Sequence, residues 1–146
     1  MISIKHINEK DIDLCYGLDS NTISLWTKKQ WANELKKEGI KVFGLLFSNL
    51  VIGICVFHVV LDEAQINFFA INQKYRKKGF GTYLMRFLIN KCEKLNINKL
   101  FLEVSHSNFT AEKFYSSFDF YTVGIRQNYY KDGSDALIKE KKLTTK

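Results

Sequence analysis

The sequence predicts a mixed α/β domain, with helices on both faces of a mostly antiparallel sheet that is parallel at its centre. Segments rich in β-branched and aromatic residues follow one another through the middle of the chain, as in a meander. Strand-like and helical segments then alternate to the end, the first helix beginning directly after Gly79. This order is typical of a mixed sheet covered by helices. With 146 residues the chain suffices for one domain, residues 1–146, with its own core.

The first forty residues carry the weaker local signals. Isoleucines at Ile2, Ile4 and Ile7 suggest a first strand. The segment from Asp11 to Lys37, which contains both tryptophans, predicts one or two helices around a turn.

Three strands follow. The segments Val42–Phe47 and Val51–Val60 flank Ser48-Asn49, a pair of turn residues, and we expect them to pair antiparallel. A third strand is expected from Ala64 to Ile71.

The helix after Gly79 has the clearest pattern in the chain. Large apolar residues recur at i, i+3, i+4, i+7 and i+8, which places a broad apolar stripe on one face. These residues are Phe80, Tyr83, Leu84, Phe87 and Leu88. Such a face predicts packing against a sheet.

The last third predicts a strand, a helix and two further strands. The strand covers Lys99–Val104, and the helix begins at Asn108 and carries Ala111, Phe114, Tyr115 and Phe118. The final strands, Phe120–Ile125 and Ala136–Lys139, are joined by a polar loop around Asp132-Gly133-Ser134.

Composition excludes several classes of protein. No apolar run approaches the ~18 residues of a membrane span, and residues 1–10 lack the apolar core of a signal peptide, so we expect a cytoplasmic protein without membrane partners. Three widely spaced cysteines, Cys15, Cys55 and Cys92, predict buried thiols rather than disulfides or a metal site. The formal charge of +7 arises mainly from lysine in a chain with no proline, which argues only weakly for a nucleic-acid partner.

The run Arg76-Lys77-Lys78-Gly79-Phe80-Gly81 predicts a site for a pyrophosphate. Glycine lets the backbone approach an anion closely, and the first-turn N–H groups of the following helix stabilise negative charge. A dinucleotide-binding motif would need a third glycine, where this chain has Leu84, and no G-x-x-x-x-G-K-[ST] motif of a triphosphatase occurs. The remaining pattern, R-x-x-G-x-G, is short and weak alone.

In its context the pattern resembles the GNAT superfamily of acetyl-CoA-dependent N-acetyltransferases. The superfamily motif Q/R-x-x-G-x-G/A also follows a strand and opens a helix. Further similarities are Val59-Val60-Leu61-Asp62-Glu63-Ala64, Leu102-Glu103-Val104-Ser105-His106-Ser107-Asn108, Phe114-Tyr115 with Asp119-Phe120, and Arg126-Gln127-Asn128-Tyr129-Tyr130. These resemble the branch that acetylates the N-terminal alanine of the eighteenth protein of the small ribosomal subunit. The first 58 residues match only loosely.

The resemblance implies a GNAT fold and two catalytic residues. Glu103, within an otherwise apolar strand, is the expected general base, and Tyr115 the expected general acid beside the coenzyme A sulfur. A solvated glutamate on a strand and a core aromatic are the alternatives for these two positions.

The resemblance also implies the binding residues. Main-chain groups of Phe69, Ala70 and Ile71, exposed by a bulge in their strand, would contact acetyl and pantetheine. Asn108 would bind the pantetheine arm, cap its helix, or both. Arg126, Tyr129 and Tyr130 would line the cleft for the acceptor peptide, although a tyrosine-rich strand end could equally pack on the core. The pyrophosphate would be held by Arg76, Lys77, Lys78, Gly79, Phe80, Gly81 and Thr82.

Two positions depart from the superfamily pattern. Asn72-Gln73 stand where proline is frequent after the cofactor strand, and Asp119 replaces a common glycine. Neither change touches an expected catalytic atom. The spacing of His6, His58 and His106 fits no metal-ligand pattern, so no metal is expected.

Three functions remain open at this point. The leading hypothesis is N-terminal acetylation of a ribosomal protein by a monomer or weak dimer with acetyl-CoA as donor. The second keeps the cofactor site but has a small amine or a lysine side chain as acceptor. The third is a basic module that binds acyl-CoA or RNA without catalysis.

Overall fold

The computed structural model, which describes residues 1–143, contains one seven-stranded mixed sheet and four α-helices. The strand order is β1-β2-β3-β4-β5-β7-β6. Strands β4 and β5 are parallel, whereas β1 with β2, β2 with β3, β5 with β7 and β6 with β7 are antiparallel. The strands are β1 Ile2–His6, β2 Ile40–Phe47, β3 Leu50–Val60, β4 Glu63–Ile71, β5 Lys99–Ser105, β6 Tyr121–Arg126 and β7 Ala136–Lys142.

The α-helices are α1 Ile12–Ser20, α2 Lys28–Leu35, α3 Phe80–Lys94 and α4 Phe109–Ser116, with short 3₁₀ turns at Glu9–Asp11 and Gln73–Tyr75. Every element expected from the sequence is present, with ends displaced by a few residues, and the predicted mixed α/β fold is confirmed. None of the helices in the described chain is both long and apolar enough to span a lipid bilayer.

The chain forms two compact units. The first comprises Met1–Val59 and Asn67–Lys91, and the second comprises Val60–Ile66 with the chain from Cys92 onward. The first unit therefore holds α1, α2, α3 as far as Lys91, and the carboxyl end of β4. The second holds β5, α4, β6, β7 and the first residues of β4.

An aromatic cluster forms the core of the first unit. Trp31 is fully buried, and its ring makes edge contacts with Trp26 at 4.8 Å and with Phe68 of β4 at 5.0 Å between centroids. Such pairs contribute beyond their buried area. Helix α2, which carries Trp31, thus packs through one large side chain onto the strand that leads to the anion loop.

Two buried acids support the same unit. Asp19 of α1 accepts hydrogen bonds from the amides of Leu25 and Trp26 and from Nε1 of Trp31. Glu34 of α2 accepts from Nδ2 of Asn67 at 2.7 Å and pairs with the Lys37 amine at 2.7 Å. Charge-assisted hydrogen bonds therefore fix the loop between α1 and α2, and they also fix Asn67 in the middle of β4.

In the second unit β7 lies between β5 and β6. Its register places Ile138 beside both Glu103 and Gly124, and Ala136 beside both Ser105 and Arg126. Registered neighbours point to the same face of a sheet. Side chains from β5 and β6 can therefore meet above β7.

Helix α3 follows its expected pattern with one exception. Phe80, Leu84 and Leu88 are buried, but Tyr83 is 44% exposed, and Met85 and Cys92 occupy the buried face instead. The expected thiol state is confirmed, since all three cysteines are buried and none is disulfide-bonded.

Candidate active site

The loop from β4 to α3 has the backbone geometry of an anion site. Lys77 and Gly79 both have positive φ, 62° and 87°, and α3 begins immediately afterwards at Phe80. A methyl group added at Gly79 would meet no atom within 4 Å, so the backbone faces open space there. The first N–H groups of a helix have no intrahelical acceptor, which makes this exposed turn suited to a phosphate.

The loop is anchored at both ends. Nε of Arg76 donates to the carbonyl of Ile71, the last residue of β4, at 3.1 Å. At the other end Phe80 is buried and packs on Phe47 and Tyr75. The Arg76 side chain therefore shapes the loop, and the exposed Lys77 and Lys78 supply the cations nearest the turn.

The residues expected to contact the acyl arm lie at the carboxyl end of β4. In the described register β4 pairs with β5 only from Glu63 to Ile66, so Phe69, Ala70 and Ile71 lie beyond that ladder. The side chains of Ala70 and Ile71 are buried. Gly53 of β3 lies close behind them, because a Cβ there would approach Cδ1 of Ile71 to 2.5 Å. This end of β4 is thus packed on one side.

The second unit contains an ion pair at the expected base. Oε2 of Glu103 on β5 lies 2.7 Å from Nε of Arg126, the last residue of β6. The Arg126 guanidinium also lies 5.7 Å from the ring centroid of Tyr129, which contacts Tyr130 edge-on at 5.1 Å. Burial, followed by the charge of Glu103, raises the pKa of Tyr130 to about 12. The acid, the arginine and both tyrosines therefore form one cluster.

A polar network holds the loop that carries these tyrosines. Oγ of Ser134 contacts Oγ of Ser105 at 2.7 Å and donates to Asp132 at 2.6 Å. The amide of Asn128 donates to Asp135 at 2.9 Å. Because Ser105 lies two residues after Glu103 on the same face of β5, the loop is tied to the strand of the expected base.

Helix α4 carries the expected acid. Asn108 caps the helix, with Oδ1 accepting from the amide of Ala111 at 3.1 Å. Tyr115 packs against Phe114 and Phe120. Burial, with a smaller effect of Tyr130, raises the pKa of Tyr115 well above its usual value near 10, so the phenol stays protonated at neutral pH.

A buried cation lies under the same helix. The side chain of Lys139 is 4% exposed, and its amine lies 3.7 Å from the carboxylate of Glu112 on α4 and donates to Thr122 Oγ1 at 3.2 Å. Glu112 precedes Tyr115 by one turn. The pair thus ties α4, the helix that carries Tyr115, to β7.

Residues 8–120 match the acetyltransferase (GNAT) family. The chain belongs to this family. It is 31% identical over 142 residues to the ribosomal protein bS18-alanine N-acetyltransferase of Escherichia coli K12, covering 94% of this chain and 95% of the relative. The crystal structure of the E. coli ribosomal-protein-S18-alanine N-acetyltransferase superimposes with a TM-score of 0.93 at 30% identity, covering 100% of this chain and 96% of that one. Ard1 from Thermoplasma volcanium gives a TM-score of 0.88 at 26% identity, covering 98% of both chains.

These comparisons confirm the resemblance to the GNAT superfamily that the sequence indicated. They also confirm the similarity to the bS18-alanine N-acetyltransferases, which are called RimI enzymes. The GNAT chain is an acetyl-CoA-dependent N-acetyltransferase. The divergent first third is included in the match, which extends over nearly the whole chain.

The geometry of this GNAT domain adds to what its sequence indicated. The ion pair of Glu103 with Arg126 and that of Glu112 with Lys139 were not foreseen. The ladders of β5 and β6 on β7 bring the first pair together, and contact between α4 and β7 brings the second together, and no local pattern in the sequence reports either. Lys139 opens the charged run Lys139-Glu140-Lys141-Lys142, which is typical of a solvated strand end and does not mark its side chain as buried.

Proposed function

We propose that this acetyltransferase transfers acetyl from acetyl-CoA to the N-terminal α-amino group of a protein, with the N-terminal alanine of ribosomal protein bS18 as acceptor. The similarity to the E. coli bS18-alanine N-acetyltransferase, over nearly the full length of both chains, carries the assignment of the acceptor. The cluster around Glu103 supports it, because Tyr129 is 52% exposed beside the Glu103–Arg126 pair and offers an aromatic surface to an extended peptide end.

The donor supplies an activated acetyl thioester, and the first unit holds it. First-turn amides of α3, with the exposed Lys77 and Lys78, bind the pyrophosphate. Main-chain groups of Phe69, Ala70 and Ile71 bind the acyl arm and polarise its carbonyl. Asn108 adds a hydrogen bond to the pantetheine portion while its Oδ1 caps α4.

Glu103 prepares the nucleophile. An α-ammonium has an ordinary pKa of about 7.7–8.0, so at neutral pH most acceptor molecules must lose a proton before they can attack. A carboxylate within reach, directly or through one water, accepts that proton. Glu103 is half-buried and held by Arg126, which keeps its carboxylate in place at this step.

Tyr115 serves the leaving group. Forming the C–N bond and breaking the C–S bond releases a second proton from the acceptor nitrogen and leaves negative charge on sulfur. The phenol is protonated at that moment, since its ordinary pKa near 10 already lies well above neutral pH and burial raises it further. It gives its proton to the sulfur and is reprotonated by the second proton of the acceptor, so the products are an amide, a thiol and the proton taken by Glu103. Tyr129 and Tyr130 line the path by which the peptide reaches Glu103.

The experiment compares acceptors and variants. Acetylation of a peptide that begins Ala-Arg-Tyr is measured beside polyamines and a peptide whose only amine is an internal lysine. We expect turnover of the first alone, and turnover confined to small amines would refute the assignment. Glu103→Gln should lower kcat by about 10²-fold or more at pH 7. Its deficit should shrink by pH 9, where the acceptor amine is already neutral.

Matched variants control for nonspecific effects. Glu63→Gln removes an exposed glutamate from the start of β4, and Tyr16→Phe removes a phenol from the surface of α1, and both should leave kcat unchanged. Tyr115→Phe should lower kcat by about 10²-fold while peptide KM stays near its original value. Equal turnover by the Glu103, Tyr115 and control variants would refute the proposed mechanism.

A further inference from the structure

Arg126 reaches Glu103 across a whole strand. The two residues lie on β6 and β5, on either side of β7, and their side chains share one face of the sheet. The β7 residue opposite Arg126 is Ala136, whose side chain is too small to block the path. The position two residues before Arg126 is Gly124, where even a Cβ would lie 3.3 Å from Cδ1 of Ile138. These small residues thus leave space over β7, through which the Arg126 guanidinium extends to the Glu103 carboxylate.

This contact is poorly placed to stabilise the fold. The Arg126 side chain is 58% exposed and that of Glu103 is 21% exposed, and ion pairs with this degree of exposure contribute little to folding. Their geometry is nevertheless specific. Nε of Arg126 lies 2.7 Å from Oε2 of Glu103, and the guanidinium also lies beside the ring of Tyr129, so it is oriented by two partners.

We propose that Arg126 is a positioning residue for the Glu103 carboxylate and not a contact for the acceptor peptide. The inference rests on the proposed function, in which Glu103 is the general base. An unanchored glutamate on a strand samples several rotamers, whereas a base must be held within hydrogen-bond reach of the proton that it accepts. By holding Oε2, Arg126 restricts the carboxylate to one orientation beside Tyr130.

The two roles of Arg126 differ in the kinetic constant that they affect. A residue that binds the peptide through both ground and transition states changes KM, whereas one that orients the base changes kcat. We therefore expect Arg126→Gln to lower kcat about tenfold with peptide KM within about twofold of the parent, since small misplacements of catalytic groups cost this much or more. Arg126→Lys, which keeps a cation on a long side chain, should recover most of the loss.

A double-mutant cycle with Glu103→Gln tests the mechanism directly. If Arg126 acts through the carboxylate, Arg126→Gln should have no further effect on kcat in the Glu103→Gln background. Lys131→Gln removes a neighbouring exposed cation that makes no ion pair within residues 1–143, and it should leave kcat and KM unchanged. Thermal unfolding of each variant shows whether the fold is intact, and Arg126→Met takes the place of Arg126→Gln in the cycle if Arg126→Gln is unstable.

The outcomes separate this inference from the function on which it rests. An equal tenfold loss in both backgrounds, or a rise in peptide KM with unchanged kcat, would overturn the positioning role while leaving Glu103 as the base. Unchanged kcat for Glu103→Gln alone would refute the base, and with it the inference. If Arg126→Gln lowers kcat only in the enzyme that retains Glu103, and Arg126→Lys recovers the loss, the result supports both the positioning role and Glu103 as the base.

Discussion

Asp19 offers the sharpest test of what holds the first unit together. Its carboxylate is fully buried near the end of α1 and accepts three hydrogen bonds: from the amide of Leu25 at 2.7 Å, the amide of Trp26 at 2.9 Å and Nε1 of Trp31 at 2.8 Å. Replacement by alanine removes all three acceptors at once. The loop between α1 and α2 and the central tryptophan lose their common partner.

The cost follows from the donors left behind. A buried donor without a partner costs about 1–3 kcal/mol, and the indole N–H of Trp31 has no route to water. The two amides are only partly buried and recover some hydration, so we expect Asp19→Ala to lower the free energy of unfolding by about 3–5 kcal/mol. For a domain of this size that corresponds to a fall in melting temperature of about 10 °C.

Urea denaturation followed by circular dichroism measures this change, and Asp13→Ala is the matched control. Asp13 belongs to the same helix and also makes a 2.7 Å contact, with Lys28, but its side chain is 81% exposed. Its replacement should change the unfolding free energy by less than about 1 kcal/mol. If Asp19→Ala cost no more than Asp13→Ala, the three hydrogen bonds would not be what orders this loop.

Three further predictions concern the backbone and the buried thiols. Gly79→Ala should destabilise the protein by about 1–2 kcal/mol and weaken coenzyme A binding in calorimetry, because φ is 87°, whereas Gly17→Ala within α1 should stabilise it by about 0.5–1 kcal/mol; the same sign for both would contradict this. Asp119→Gly should raise the free energy of unfolding, measured in urea, by about 0.5 kcal/mol, since aspartate there has φ of 66°. A lower free energy of unfolding would show that the Asp119 side chain matters more than its backbone. Burial raises the pKa of the Cys15 and Cys92 thiols from 9.0 to about 12, so the unfolded state loses these protons first and the unfolding free energy should fall as pH rises from 9 toward 12. A double alanine variant should show a shallower decline, and an unchanged slope would refute the assignment.

Local signals predicted most of the fold because its elements are amphipathic and its turns use the residues that the turns require. Ser48 and Asn49 both have positive φ, 51° and 66°, as a two-residue hairpin turn demands. The same reasoning failed at Tyr83, where a tyrosine fits the apolar spacing of α3 yet stays 44% exposed. An aromatic residue with a polar tip is compatible with either face, so periodicity alone does not place it.

Features that depend on contacts between distant residues could not be predicted from local sequence patterns. An aspartate near the end of a helix is typical of a solvated surface, so nothing marked Asp19 as the buried acceptor of three donors. The order β5-β7-β6 places the last strand between two earlier ones, and no local pattern in the sequence predicts that insertion. The contacts between Glu103 and Arg126 and between Glu112 and Lys139 depend on this order.

The proposed donor and acceptor sites therefore differ in how much of each can be predicted from the sequence. The anion loop is assembled from residues 71–82, with its turn, its anchor to Ile71 and the first turn of α3 all contiguous, so the short motif contains nearly all of its determinants. The cluster at Glu103 is assembled from β5, the end of β6 and the loop before β7, and each contributes a residue that has an ordinary alternative role. Since the acceptor side depends on register, a single residue change on β7 could redirect Arg126 without altering any motif. The orientation of the proposed base would then change while the donor loop stays the same.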